Sequence, residues 1–180
     1  MQPILRRSLY AIILLAGLVW IFASADKTNS ATAGHIPAPQ KGFLAPEFKL
    51  DTFDGQTVAL TDYRGTAVLV NLWATWCPPC RAEMPTLEKV YEEYKDQGLV
   101  VLGINATNQD NLDAIAPFEK QFGITFPILL DTNGETSVLY ELRSLPTSFF
   151  VGRDGVIRDV VVGGPMSEAL LRTNIEEIIK

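Results

Sequence analysis

The sequence predicts an α/β fold in which helices flank a mixed sheet, and three observations predict it. Two continuous apolar runs, Ala67 to Trp73 and Leu99 to Ile104, have the composition of strands buried on both faces. Each is followed by a helix-like segment that stops at a glycine, Gly98 and Gly123, so the middle of the chain reads as a βαβ unit. Two further pairs of short strands are joined at Asp54-Gly55 and at Arg153-Asp154-Gly155, which makes part of the sheet antiparallel.

Taken in order, Phe48-Lys49-Leu50, the Asp54-Gly55 turn and Thr57 to Leu60 form an opening hairpin. The run Ala67 to Trp73 leads into a helix from about Pro78 to Gln97, whose two leading prolines are tolerated in a first turn. Leu99 to Ile104 is the second buried strand and Gln109 to Phe122 the second helix. Phe126 to Leu130 reads as a short strand and Gly134 to Tyr140 as a short helix. Ser148 to Val151 and Val156 to Val162 make the second hairpin, and Ser167 caps a closing helix that runs to Lys180. The expected sheet has about five to seven strands, with helices on both faces.

The first 41 residues are of another kind. Leu9 to Phe22 carries no charge and follows Arg6 and Arg7, which mark the cytoplasmic side and place everything beyond outside the cytoplasm. From Leu9 to Ala25 there are 17 residues, the short end of what spans a bilayer, and Ala23-Ser24-Ala25 has the form of a signal-peptide cleavage site. A retained single-pass anchor in the cell membrane is favoured; the alternative is a secreted or periplasmic form cleaved at Ala25. No cysteine follows the apolar run, which excludes a lipoprotein anchor. Asp26 to Lys41 is rich in Ser, Thr, Ala, Gly and Pro and reads as a flexible tether with about 20–24 Å of root-mean-square reach. The chain thus divides into 1–25, 26–41 and a domain over 42–180. Setting Arg6 and Arg7 aside leaves 13 bases against 21 acids, a net of −8. That balance argues against nucleic acid or an anionic membrane surface as partner.

Chemistry concentrates in Trp76-Cys77-Pro78-Pro79-Cys80, which holds both cysteines of the chain. The spacing puts Cys77 at a helix start, where unpaired N–H groups and the helix dipole favour a thiolate. Cys80, one turn further in, is expected to be more buried. This asymmetry suits a nucleophile followed by a resolving thiol, the chemistry of thiol–disulfide exchange. A structural bridge across so short a loop gains little entropy. A structural zinc site needs about four ligands, which two cysteines and the distant His35 do not supply.

The run Leu69-Val70-Asn71-Leu72-Trp73-Ala74-Thr75-Trp76-Cys77-Pro78-Pro79-Cys80-Arg81-Ala82-Glu83-Met84-Pro85, with the later Leu145-Pro146-Thr147-Ser148-Phe149-Phe150, resembles the membrane-tethered thioredoxin-like proteins of the TlpA/ResA/CcmG type. The likeness extends over Gly42 to Lys180. It implies a thioredoxin-like fold with an added N-terminal hairpin and an inserted helix–strand. It implies Cys77 as the attacking thiol beside the apolar flank of Trp76, and Cys80 as the resolving one. Pro146 matches the position of a cis-proline, and the backbone of Leu145 matches the segment that pairs with an extended substrate. Glu83 matches a carboxylate near the thiols, able to raise their pKa or relay protons, although helix starts favour carboxylates in any case. Asn71 departs from plain thioredoxins, which place a buried aspartate six residues before the first cysteine. Asparagine takes no proton, so that role falls to Glu83 or to water.

The resemblance further implies an exported thiol–disulfide oxidoreductase of the reducing kind, with no cofactor beyond the Cys77–Cys80 pair and no metal. Its expected partners are protein thiols and disulfides outside the cytoplasm, as in cytochrome c maturation, together with a membrane thiol reductant. Two other readings stand beside it. A peroxiredoxin-like thiol peroxidase shares much of the fold but places its cysteine in a P-x-x-x-T/S-x-x-C setting, which Thr75 and Cys77 match poorly. A copper- or haem-handling chaperone would use the cysteines as ligands, with Met84 as thin support.

Overall fold

The computed structural model describes residues 36–180. The expected membrane segment over 9–25 and most of the expected tether lie outside the described residues. Among the described residues, no helix is long and apolar enough to cross a membrane. The elements are β1 (Lys49–Thr52), β2 (Thr57–Ala59), β3 (Ala67–Trp73), α1 (Pro78–Tyr94), β4 (Leu99–Asn105), α2 (Leu112–Phe122), β5 (Ile128–Leu130), α3 (Glu135–Leu139), β6 (Thr147–Val151), β7 (Ile157–Val162) and α4 (Glu168–Ile178).

Seven strands form one sheet in the order β2-β1-β5-β4-β3-β6-β7. The central strand β3 runs parallel to β4 and antiparallel to β6, and β5 runs parallel to β4. Both sequence-predicted hairpins pair antiparallel, and β1 joins the first of them to β5. All seven residues of β3 are buried, as its unbroken apolar character requires. Alternation along it divides the core in two. Leu69 and Trp73 pack with Met84, Leu87 and Val90 of α1, Phe118 of α2 and Leu171 and Ile175 of α4. Val68, Val70 and Leu72 pack on the other face with Phe48, Leu60, Tyr140 and Phe149. The two faces are covered unequally: α1, α2 and α4 lie over the first, while short turns and the N-terminal segment close the second.

Local chemistry explains where the boundaries fall. The first helix tightens into a 3₁₀ turn over Lys95–Gln97 and stops at Gly98, whose φ of 92° belongs to the left-handed region. The second starts at Leu112 rather than at Gln109. Asn111 accepts the Asp113 N–H at 3.0 Å and caps it, while Thr107–Gln109 forms a separate turn. The cap at Gly134 has no side chain, and Asp131 takes over its role. Its buried carboxylate accepts the Thr136 N–H at 3.1 Å, the Ser137 N–H at 2.8 Å and the Ser137 hydroxyl at 2.7 Å. Ser167 caps α4 as expected, accepting the Leu170 N–H at 3.3 Å.

The packed chain also begins before Gly42. Ala38 donates its N–H to Leu44 O at 3.0 Å, and Gly42 and Phe43 exchange hydrogen bonds with Ile157 at 2.8 and 2.9 Å. Pro37 and Pro39 restrict the chain here, and backbone pairing of this kind leaves no hydrophobic periodicity to read. Further on, the Tyr140 hydroxyl donates to Pro46 O at 2.7 Å, with its ring edge-on to Phe48 and Phe149. Burial holds this phenol well above its ordinary pKa, with a smaller contribution from Glu47. Tyr140→Phe keeps the packing volume and leaves Pro46 O unpaired. It should cost about 1–3 kcal/mol, seen in urea unfolding as a lower midpoint with an unchanged slope.

Candidate active site

The site is assembled at the C-terminal end of β3, where Ala74-Thr75-Trp76 turns the chain into α1. Cys77 is the N-cap residue of that helix, with φ −80° and ψ 112°, and Pro78 and Pro79 fill the positions whose N–H groups would have no helical partner. The Cys77 sulfur accepts the Cys80 N–H at 3.2 Å, while the Arg81 N–H bonds the Cys77 carbonyl at 3.1 Å. Cys77 and Cys80 are joined as a disulfide, with Cα atoms 5.3 Å apart.

Cys80 is the more buried of the two cysteines, as expected, but only narrowly. Cys77 is 2% exposed and Cys80 0%. Trp76 and the two prolines screen Cys77, and what separates the pair is direction. Cys77, and not Cys80, lines a cavity of about 800 Å³ whose walls include Trp76, Pro79, Val138, Leu142 and Leu145. Trp76 is 56% exposed and Val138 79%. Leu145 therefore borders the same groove as Cys77. The Leu145–Pro146 peptide is cis.

Glu83, Asn71 and Pro146 come together behind the cysteines. Glu83 is buried, accepting from Asn71 Nδ2 at 2.9 Å and from the Met166 N–H at 3.2 Å. Asn71 also donates to Ser148 Oγ at 2.9 Å, while its Oδ1 has no hydrogen-bond partner among the described residues. Burial pushes the Glu83 carboxyl above its ordinary range, and its two hydrogen bonds offset only part of that shift. A Cβ on Gly164 would lie 2.8 Å from Pro146 and 3.0 Å from the Glu83 carboxylate, so glycine is what lets this loop close over them. The Gly164–Pro165 peptide, a second cis bond, lies in the same loop.

Asp110 was not visible as a site residue. It lies in the loop after β4 and accepts four donors. These are the Thr75 N–H at 2.6 Å, the Thr75 hydroxyl at 2.5 Å, Asn105 Nδ2 at 2.8 Å and the Asn111 N–H at 2.8 Å. Burial raises its carboxyl, but the hydrogen bonds from Thr75, Asn105 and Asn111 together outweigh it and hold the pKa below the usual value. Ser148, Met166 and Gly164 were missed as well. Each acts across the fold, and only the Leu145-to-Phe150 motif pointed to any of them.

Comparison with known proteins agrees with this geometry. The model of the AhpC/TSA family matches residues 42–160. The thiol–disulfide oxidoreductase ResA of Geobacillus thermodenitrificans (strain NG80-2) is 33% identical over 178 residues, 98% of this chain and 97% of the relative. The thioredoxin-like protein YneN of Bacillus subtilis (strain 168) is 42% identical over 125 residues, 69% of this chain and 72% of the relative. Among solved structures, a thiol:disulfide interchange protein of the thioredoxin family from Chlorobium tepidum TLS superposes with a TM-score of 0.70 at 28% identity, covering 82% of this chain and all of the other. The chain belongs to the AhpC/TSA family, has a thioredoxin-like fold and is a thiol–disulfide oxidoreductase of the ResA kind.

The Glu83 environment sets a sign for pH dependence. A carboxyl whose pKa is raised in the folded state binds its proton more tightly there, so stability falls as pH rises from the ordinary glutamate value through the raised one. Glu83→Gln should flatten that decline in denaturant titrations at stepped pH. Where wild-type Glu83 is ionised, the variant should also lower the apparent pKa of the reduced thiols, read by thiolate absorbance in the ultraviolet. An unchanged thiol titration would make Glu83 an ordinary helix-start carboxylate.

Proposed function

We propose that this chain is an extracytoplasmic protein-disulfide reductase, attached to the membrane through residues 9–25. The observation that carries the reading is a dithiol at the N-terminus of α1 whose first sulfur faces a broad, partly apolar groove. In the reduced protein the Cys77 thiolate, favoured by the Cys80 N–H and the helix dipole, attacks one sulfur of a polypeptide disulfide. A mixed disulfide forms and one substrate thiolate leaves. The Cys80 thiolate then attacks the Cys77 sulfur, releasing the second substrate thiolate and forming the Cys77–Cys80 bond. Two electrons pass to the substrate, and the protons lost by the two cysteines balance those gained by the products.

In this reading Glu83 is the group that exchanges protons as Cys80 changes state, because Asn71 has none to give or take. Leu145 and Pro146 border the path of an extended substrate segment, and Trp76 forms its other wall. Substrates are disulfides of exported proteins, such as a cytochrome c precursor before haem attachment, and a membrane thiol reductant restores the dithiol. The names of the relatives and the charge bias of Arg6 and Arg7 support this assignment.

The test is a pair of variants assayed with a peptide disulfide. Cys77→Ser should abolish reduction, while Cys80→Ser should accumulate a covalent mixed disulfide at Cys77, identified by mass mapping. Hydrogen peroxide should be consumed far more slowly than the peptide disulfide. A mixed disulfide found at residue 80 in Cys77→Ser, or rapid peroxide turnover, would reverse the assignment.

Topology has its own measurement. Fractionated cells should hold the protein in the membrane, with the domain open to protease only from the extracytoplasmic side. A soluble form whose N-terminus is Asp26 would establish cleavage at Ala25 instead.

A further inference from the structure

The loop that carries Cys77 is held from one side by a single carboxylate. Asp110 takes both donors of Thr75, its backbone N–H and its hydroxyl. Two more contacts belong to the same clamp. Trp76 Nε1 donates to Gln109 O at 2.9 Å, and Arg81 Nη1 donates to Thr75 O at 3.1 Å. Arg81 is itself held, stacked 5.3 Å from the Phe118 and Phe122 ring centres and bonded to Gln121 at 3.1 Å. Asn105, the last residue of β4, ties the carboxylate back to the sheet. The turn from β3 into α1 thus has every polar group of Thr75 engaged, and most of those bonds converge on Asp110.

We propose that Asp110 is a positioning residue for thiol–disulfide exchange, fixing Thr75 and Trp76 so that the Cys77 sulfur stays seated on the Cys80 N–H. This inference rests on Cys77 being the attacking thiol. Without the clamp, the two residues before Cys77 gain freedom, the contact between Sγ and the Cys80 N–H is populated less often, and the thiolate loses part of its stabilisation. The charged groups around this corner are Arg81 and Glu83 on α1, Asp110 itself, and Glu141 and Arg143 across the groove. A mere charge effect of Asp110 would have the opposite sign, because removing a nearby negative charge favours a thiolate.

That difference in sign makes the experiment decisive. The reduced full chain is alkylated with iodoacetamide across a pH series, and the label is mapped to Cys77 or Cys80 by mass. Asp110→Asn presents an amide N–H₂ where only donors face it, and should slow Cys77 alkylation at pH 7 about threefold, equivalent to roughly half a pKa unit upward. The rates should converge with wild type at high pH, where the thiol is ionised in both. Thr75→Val keeps the Asp110 charge and removes one bond, and should shift the profile the same way by less. Leu60→Ala, destabilised by a cavity on the other face of the sheet, should leave the profile unmoved. Unchanged or faster Cys77 alkylation in folded Asp110→Asn would overturn the proposal, and if that variant does not fold, an unchanged Thr75→Val profile would do so. Labelling of wild-type Cys80 ahead of Cys77 would instead overturn the functional reading on which it rests.

Discussion

The site depends on β3 being the central strand of the sheet, hydrogen-bonded to β4 on one edge and to β6 on the other. A strand buried on both faces is fixed along its whole length by packing, so its C-terminal end is a rigid point from which α1 departs. The pairing register then decides what surrounds that point. Asn71 lies opposite Ser148 on β6, and Trp73 opposite Asn105 on β4. Through those partners β6 contributes Ser148 to the Asn71 bridge, and β4 contributes Asn105 to the Asp110 clamp. A one-residue shift of β3 against both neighbours would turn Asn71 into the opposite core and dissolve the Asn71 bridge.

Two carboxylates flank the dithiol segment, and their surroundings drive them in opposite directions. Glu83 is deeply buried with two donors, and desolvation wins. Asp110 is less buried and has four, and hydrogen bonding wins. The number of donors relative to depth settles the sign in each case. The consequence is a division of labour. A carboxyl raised by burial keeps its proton to higher pH than an ordinary glutamate, whereas one lowered by hydrogen bonds serves as a fixed acceptor for backbone and side-chain donors. Asn71 belongs to the first arrangement as a donor only.

What could be read from the sequence was what short stretches determine. Asp54-Gly55 and Arg153-Asp154-Gly155 specify hairpins by turn geometry, Gly98 and Gly123 stop helices, and Ser167 starts one. The Trp76-to-Cys80 run was equally legible, because two cysteines at that spacing between a buried strand and a helix have few other uses. Asp110 was invisible for the opposite reason. It lies 35 residues from Thr75, in a polar loop where aspartate is ordinary, and nothing local distinguishes it from Asp113. Met166 bonds to Glu83 across 83 residues, and Gly164 matters because Pro146 and Glu83 leave no room for a Cβ. The order of burial of the two cysteines was legible from their places in the helix, but how little of Cys77 is exposed was not, because exposure depends on the packing around it.

That burial changes how selectivity arises. With Cys77 almost closed to solvent, what opens onto it is the groove it shares with Trp76, Val138 and Leu142. Val138 belongs to α3, a helix of five residues that could not stand alone. It stands because Asp131, at the end of β5, supplies three acceptor contacts to its first turn, and because Tyr140 just beyond it is anchored to Pro46. The β5–α3 segment therefore does more than lengthen the fold. It places Val138 and Leu142 in the groove that Cys77 lines, so that the surroundings of one cysteine are set by residues some sixty positions further along the chain.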